Sequence, residues 1–130
     1  MEQLERALER DTRLAYALLF GSRARGSEHA ASDLDIAVGL APGRRLDSRE
    51  LGALVSDLEQ ATGLSVDLVL LDEAPSPVAY RVFRDGQVLL NRDHNAFVER
   101  KTRAILEYLD FRPLEEIAVR GVLAVAADGR

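Results

Sequence analysis

Asp33 and Asp35 stand one residue apart in the run Ser32-Asp33-Leu34-Asp35-Ile36-Ala37-Val38, which otherwise reads as a β-strand. Aspartate is among the poorest strand formers, so neither local propensity nor packing asks for it there. With a rise of ~3.3 Å per residue, the two carboxylates lie roughly 6 to 7 Å apart at their backbones and point the same way. They are placed to converge on a hard cation bound through oxygen. A third carboxylate, Asp67, interrupts the apolar run Leu64-Ser65-Val66-Asp67-Leu68-Val69, where a neighbouring strand could bring it to the same face. Three carboxylates suit Mg²⁺, which completes its coordination with water and phosphate oxygens. Two such ions ~3.5 to 4 Å apart can activate a hydroxyl and stabilise leaving pyrophosphate in an in-line displacement. A solvated acidic strand edge is the plain alternative for a lone Asp-x-Asp, and a buried ion pair is the alternative for Asp67.

The matching phosphate grip is Gly21-Ser22, which ends an apolar run just before a short helical turn through Arg23-Ala24-Arg25. Glycine lets the backbone come close to a ligand, and N–H groups at a helix start favour anions. Ser22 adds a hydroxyl. Arg23 and Arg25 can neutralise a triphosphate or serve as structural ion-pair partners. His29 reads as a solvated loop residue. Tyr16, Tyr80 and Tyr108 fall on apolar runs or stripes and read as packing residues. The basic cluster Arg100, Lys101 and Arg103 reads as a solvated helix face, with a partner or RNA contact as the lesser reading.

These residues need a scaffold, and the chain supplies one. Leu4, Ala7 and Leu8 have helical spacing; Leu14 to Phe20 is a buried strand; Asp33 to Val38 is a second, with Leu34, Ile36 and Val38 on its oily face. Asp47 and Glu50 have the spacing of a capping box before Leu51, Leu54, Val55 and Leu58, and Gly63 marks the stop. Leu64 to Leu71 is a third strand, Pro77 to Arg84 a short helix, and Gln87 to Leu90 a fourth strand. Asp93 caps a long helix that Pro113 is expected to interrupt, with a last helix from Leu114 to Ala126. Strands and helices mix without enough strand-helix-strand units for an all-parallel sheet. The expected fold class is therefore α/β in the α+β sense, a small mixed β-sheet flanked by helices. One domain over residues 1–130, with C-terminal helices from about residue 93, accounts for the length.

Composition excludes several other classes. Seventeen basic against 22 acidic side chains leave a net charge of −5, which argues against strong non-specific binding of nucleic acid. There is no cysteine, so disulfides, thiolate metal sites and cysteine nucleophiles are absent, and two histidines alone cannot build a zinc site. No stretch approaches the roughly 20 apolar residues of a membrane span. The N-terminal segment lacks the hydrophobic core of a signal peptide, so the expectation is a soluble cytoplasmic protein without membrane attachment.

Gly21-Ser22 followed after ten residues by Asp33-Leu34-Asp35, with Asp67 on a later strand, resembles the active-site pattern of the DNA polymerase β nucleotidyltransferase superfamily. Within it, Gly21-Ser22-Arg23-Ala24-Arg25-Gly26 and Ser32 to Val38 look like the minimal nucleotidyltransferase (MNT) antitoxins paired with HEPN-domain ribonuclease toxins. The stretch Tyr108-Leu109-Asp110-Phe111-Arg112-Pro113 is similar more loosely. The resemblance implies a polymerase β-like nucleotidyltransferase fold and Mg²⁺-dependent transfer of AMP from ATP to a tyrosine hydroxyl of the toxin. It assigns Asp33, Asp35 and Asp67 to metal binding and catalysis, with Asp67 beside the attacking hydroxyl, and Gly21 and Ser22 to the nucleotide phosphates. Two rival expectations remain: an antitoxin that neutralises its toxin by masking alone, or transfer to a small molecule or an RNA end.

Overall fold

The computed structural model describes residues 2–21 and 33–127, with side chains described to residue 110. The element order is α1 (Glu2–Arg10), β1 (Leu14–Phe20), β2 (Leu34–Leu40), α2 (Ser48–Thr62), β3 (Val66–Leu70), a 3-10 turn (Leu71–Glu73), α3 (Ser76–Asp85), β4 (Gln87–Asn91) and α4 (His94–Ala127). The four strands form one sheet in the order β3-β2-β1-β4. β1 runs antiparallel to β2 and β4, whereas β2 and β3 are parallel, so the sheet is mixed as expected.

Each sheet face carries its own core. On one, Leu34, Ile36 and Val38 of β2 pack with Leu4 and Leu8 of α1 and Leu54 and Leu58 of α2. On the other, Leu18 and Ala37 pack with Val82 and Phe83 of α3 and Phe97 and Ala104 of α4. β1 lies between two neighbours and under both helical layers, which is why its run is apolar without alternation. A register shift between Leu14 and Tyr16 turns both Ala15 and Tyr16 toward α3 and α4.

α2 begins as its sequence requires. Asp47 accepts a hydrogen bond from the Glu50 backbone N–H at 2.8 Å, and Glu50 accepts one from the Asp47 N–H at 2.8 Å. Gly63 ends the helix in the left-handed region at φ 72°. The turn into β1 is tied by Asp11, which accepts from Arg13 Nε and Nη2 at 2.9 and 2.8 Å. Arg92, just after β4, donates to the Asp11 and Leu14 carbonyl oxygens at 3.1 and 2.9 Å and so ties the same turn to the opposite end of the chain.

Two expectations are corrected. α4 continues through Pro113 as one helix of 34 residues rather than stopping there. Proline removes one backbone donor and crowds one carbonyl, which bends a helix without necessarily ending it when the turns on both sides persist. Arg100 does not belong to a solvated face: it is 6% exposed, while Lys101 and Arg103 are exposed. The face of α4 that meets the sheet carries Phe97, Arg100 and Ala104, so helical periodicity turns Arg100 inward with its apolar neighbours. Among the described residues, no helix is long and apolar enough to cross a membrane.

Candidate active site

Asp33 lies immediately before β2, and Asp35 is the second residue of the strand. The alternation that sends Leu34 and Ile36 into the core on the α1 and α2 side sends Asp33 and Asp35 to the opposite face. In the parallel pairing of β2 with β3, Asp35 stands directly opposite Asp67. Neighbouring strands are ~4.8 Å apart, so these two carboxylates share one face at one level of the sheet. In the antiparallel pairing on the other side of β2, Asp35 stands opposite Phe20, the last residue of β1. Asp35, Asp67 and the end of β1 thus lie at one end of the sheet, with Asp33 immediately before β2. Asp35 is half-buried, and Asp33 and Asp67 are exposed.

Gly21 follows Phe20 and completes this edge. Its φ is 79°, in the left-handed region that favours glycine. A Cβ there would overlap the Asp35 carboxylate, 3.0 Å from its Cγ and 3.2 Å from its Cβ. Gly21 therefore gives the Asp35 carboxylate its room as well as bringing backbone close to a ligand. The sequence marks the position as a turn, but a carboxylate seated over the glycine follows only from the β1–β2 register. Ser22, Arg23, Arg25 and His29 lie outside the described residues.

The donor set fits a hard divalent cation. All three groups offer oxygen, the donor that such a cation takes. Among the described residues, no three acidic or histidine side chains are placed so that together they could hold a metal ion. An open set of carboxylates suits an ion that takes its remaining oxygens from a nucleotide phosphate.

The tyrosines pack as expected. Tyr16 is 2% exposed and lies against Phe83 and Phe97, with ring centroids 6.3 and 5.5 Å away. Tyr80 of α3 stacks on Tyr108 of α4 at 4.1 Å with an interplanar angle of 4°, and the Arg84 guanidinium lies 5.5 Å from the Tyr80 centroid. The stack joins the two helices that cover the aspartate-bearing face.

Residues 2–95 match the family described as Polymerase beta, Nucleotidyltransferase. The chain belongs to this family. The mixed sheet, with Asp35 opposite Asp67, is that of a nucleotidyltransferase fold. No match is found among curated proteins. Among solved structures, the chain is similar to one in a toxin–antitoxin crystal structure with AMP-PNP, at 27% identity and TM-score 0.77, covering 95% of this chain and 98% of that one. It is also similar to one in a variant MntA-HpeT toxin–antitoxin, at 26% identity and TM-score 0.77, covering 95% of this chain and 97% of that one. A chain from a complex of a tri-AMPylated Shewanella oneidensis HEPN toxin with an MNT antitoxin shares the fold, at 24% identity and TM-score 0.71, covering 95% of this chain and 98% of that one.

Proposed function

We propose that this nucleotidyltransferase is an MNT antitoxin that transfers AMP from ATP to a tyrosine hydroxyl of a HEPN-domain ribonuclease toxin and so inactivates it. The observation that carries the reading is Asp35 opposite Asp67 across β2 and β3, with Asp33 just before β2 and Gly21 against the Asp35 carboxylate. The likeness over nearly the whole chain to a component of a toxin–antitoxin with AMP-PNP supports a nucleotide substrate and a protein partner. The tri-AMPylated toxin complex, which shares the fold, supports AMP as the group transferred.

In this reading, Asp33, Asp35 and Asp67 hold Mg²⁺, which when bound acidifies a hydroxyl and neutralises charge on the departing pyrophosphate. Gly21 and Ser22 hold the nucleotide phosphates, and Arg23 and Arg25 offset their charge. The tyrosine oxygen forms a bond to the α-phosphorus of ATP, the bond from that phosphorus to the bridging oxygen breaks, and pyrophosphate leaves. The phenolic proton passes to Asp67, the carboxylate beside the attacking hydroxyl. Incubation with α-labelled ATP, Mg²⁺ and the toxin is expected to label the toxin. Label that persists when Asp35→Asn replaces the wild-type protein would overturn the site assignment.

A further inference from the structure

A cavity with both polar and apolar lining opens at the opposite end of the sheet, about 540 Å³ in volume, lined among others by Tyr16, Arg44, Asp72, Glu99, Arg100 and Arg103. Tyr16 lies at the start of β1 and Gly21 just beyond its end, so about 13 Å of strand separates this cavity from the aspartates. Its size is that of a small-molecule site.

The wall of the cavity contains a buried guanidinium that Asp72 and Glu107 favour only through longer-range charge interaction. Arg100 is 6% exposed, and its Nε and Nη2 both donate to the single Leu71 carbonyl oxygen at 3.2 and 2.9 Å. Its Nη1 has no hydrogen-bond partner. No carboxylate among the described residues forms a salt bridge with it, and burial lowers its affinity for its proton. A buried guanidinium is stabilised by an anion that accepts from its free donors, and leaving it unpaired is costly. Water can accept from Nη1 but cannot balance the charge.

Other donors point the same way. Arg44 and Arg103 line the mouth, and Arg103 has only a long, exposed contact of 3.9 Å to Glu107. Tyr16 keeps its proton at neutral pH, its phenol pushed up to about 12 by burial, and so can donate to an anion. Gly39 of β2 lies under its ring: a Cβ there would overlap Tyr16 Cζ and Oη. Asp72 and Glu99 line the same cavity and oppose an anion, and the three guanidinium groups outnumber them.

We propose that this cavity is a second, non-catalytic site for a phosphate group, either free or at the end of a small ester, held by Arg44, Arg100, Arg103 and Tyr16. The proposal does not depend on AMP transfer or on the aspartates. The test is NMR of the labelled full-length protein, following the Arg100 Nε–Hε signal and the amides of residues 40–44 during separate titrations with inorganic phosphate and glycerol phosphate. Chloride at matched ionic strength is the control. Saturable shifts with either phosphate ligand and not with chloride are expected, and the tighter of the two identifies the source. Arg44→Ala and Arg103→Ala, at the mouth and outside the core, are expected to weaken binding about tenfold or more each, as loss of a charge-assisted hydrogen bond does. Lysine at either position should restore part of it. Absence of saturable shifts, equal shifts with chloride, or unchanged affinity in both alanine variants would overturn the proposal and leave the cavity to water.

Discussion

Asp35 is seated where three constraints meet: Asp67 across one strand pairing, Phe20 across the other, and Gly21 against its carboxylate. In the proposed site, Asp35→Asn removes one oxygen ligand of the metal. Adding Mg²⁺ should then stabilise wild type and not the variant. AMP transfer by Asp35→Asn should fall about a thousandfold, since a metal ligand supports several kcal/mol of transition-state stabilisation. Gly21→Ala adds a methyl group where the Asp35 carboxylate lies and forces a side chain into the left-handed region. Its transfer rate should fall roughly a hundredfold through displacement of the carboxylate, with a folding cost of only about 1 to 2 kcal/mol. A Gly21→Ala protein as active as wild type would show that the carboxylate is not held by this contact.

The elements differ in how much of them the chain announces. β1 has the expected bounds, and the α2 capping box and its Gly63 stop appear as their residues require. Asp47→Ala is expected to cost about 1 kcal/mol, read as a fall of about 4 °C in the unfolding midpoint. Leu58→Ala, buried between α2 and the sheet, should cost about 2 to 5 kcal/mol. Asp11 adds a dependence on pH: its hydrogen bonds with Arg13 hold its carboxyl below the usual aspartate value, against the opposing effect of burial. Above the unfolded value near 3.9 that contribution is fully present, and it is lost as pH falls through the lower folded value. Asp11→Asn should therefore lose less stability than wild type as pH falls below about 4 in urea unfolding. α4 was less legible. Pro113 signals an interruption on local grounds, yet the helix continues, and the polar Arg100 reads as solvent-facing until its register against the sheet is known.

At the scale of the molecule, two helical layers clamp a four-stranded sheet and leave Asp33 and Asp67 exposed at one end of it. The mixed sheet could be inferred because strand and helix signals alternate irregularly, and the aspartates could be found because packing alone gives no reason for them in strands. The face they share followed from the two-residue period; that Asp35 pairs with Asp67 did not, because strand order and register depend on contacts between distant segments. The seat that Gly21 provides for Asp35 and the buried Arg100 beside Tyr16 were hidden for the same reason. The central claim is that the aspartate edge transfers AMP to a partner protein. Its most direct test is to mix α-labelled ATP, Mg²⁺ and the HEPN toxin with wild-type protein or with Asp33→Asn/Asp35→Asn, and to measure label and ribonuclease activity together. The account predicts labelled, inactive toxin with wild type alone. Unlabelled toxin that is silenced equally by both proteins would contradict it and make the protein an antitoxin that acts by masking.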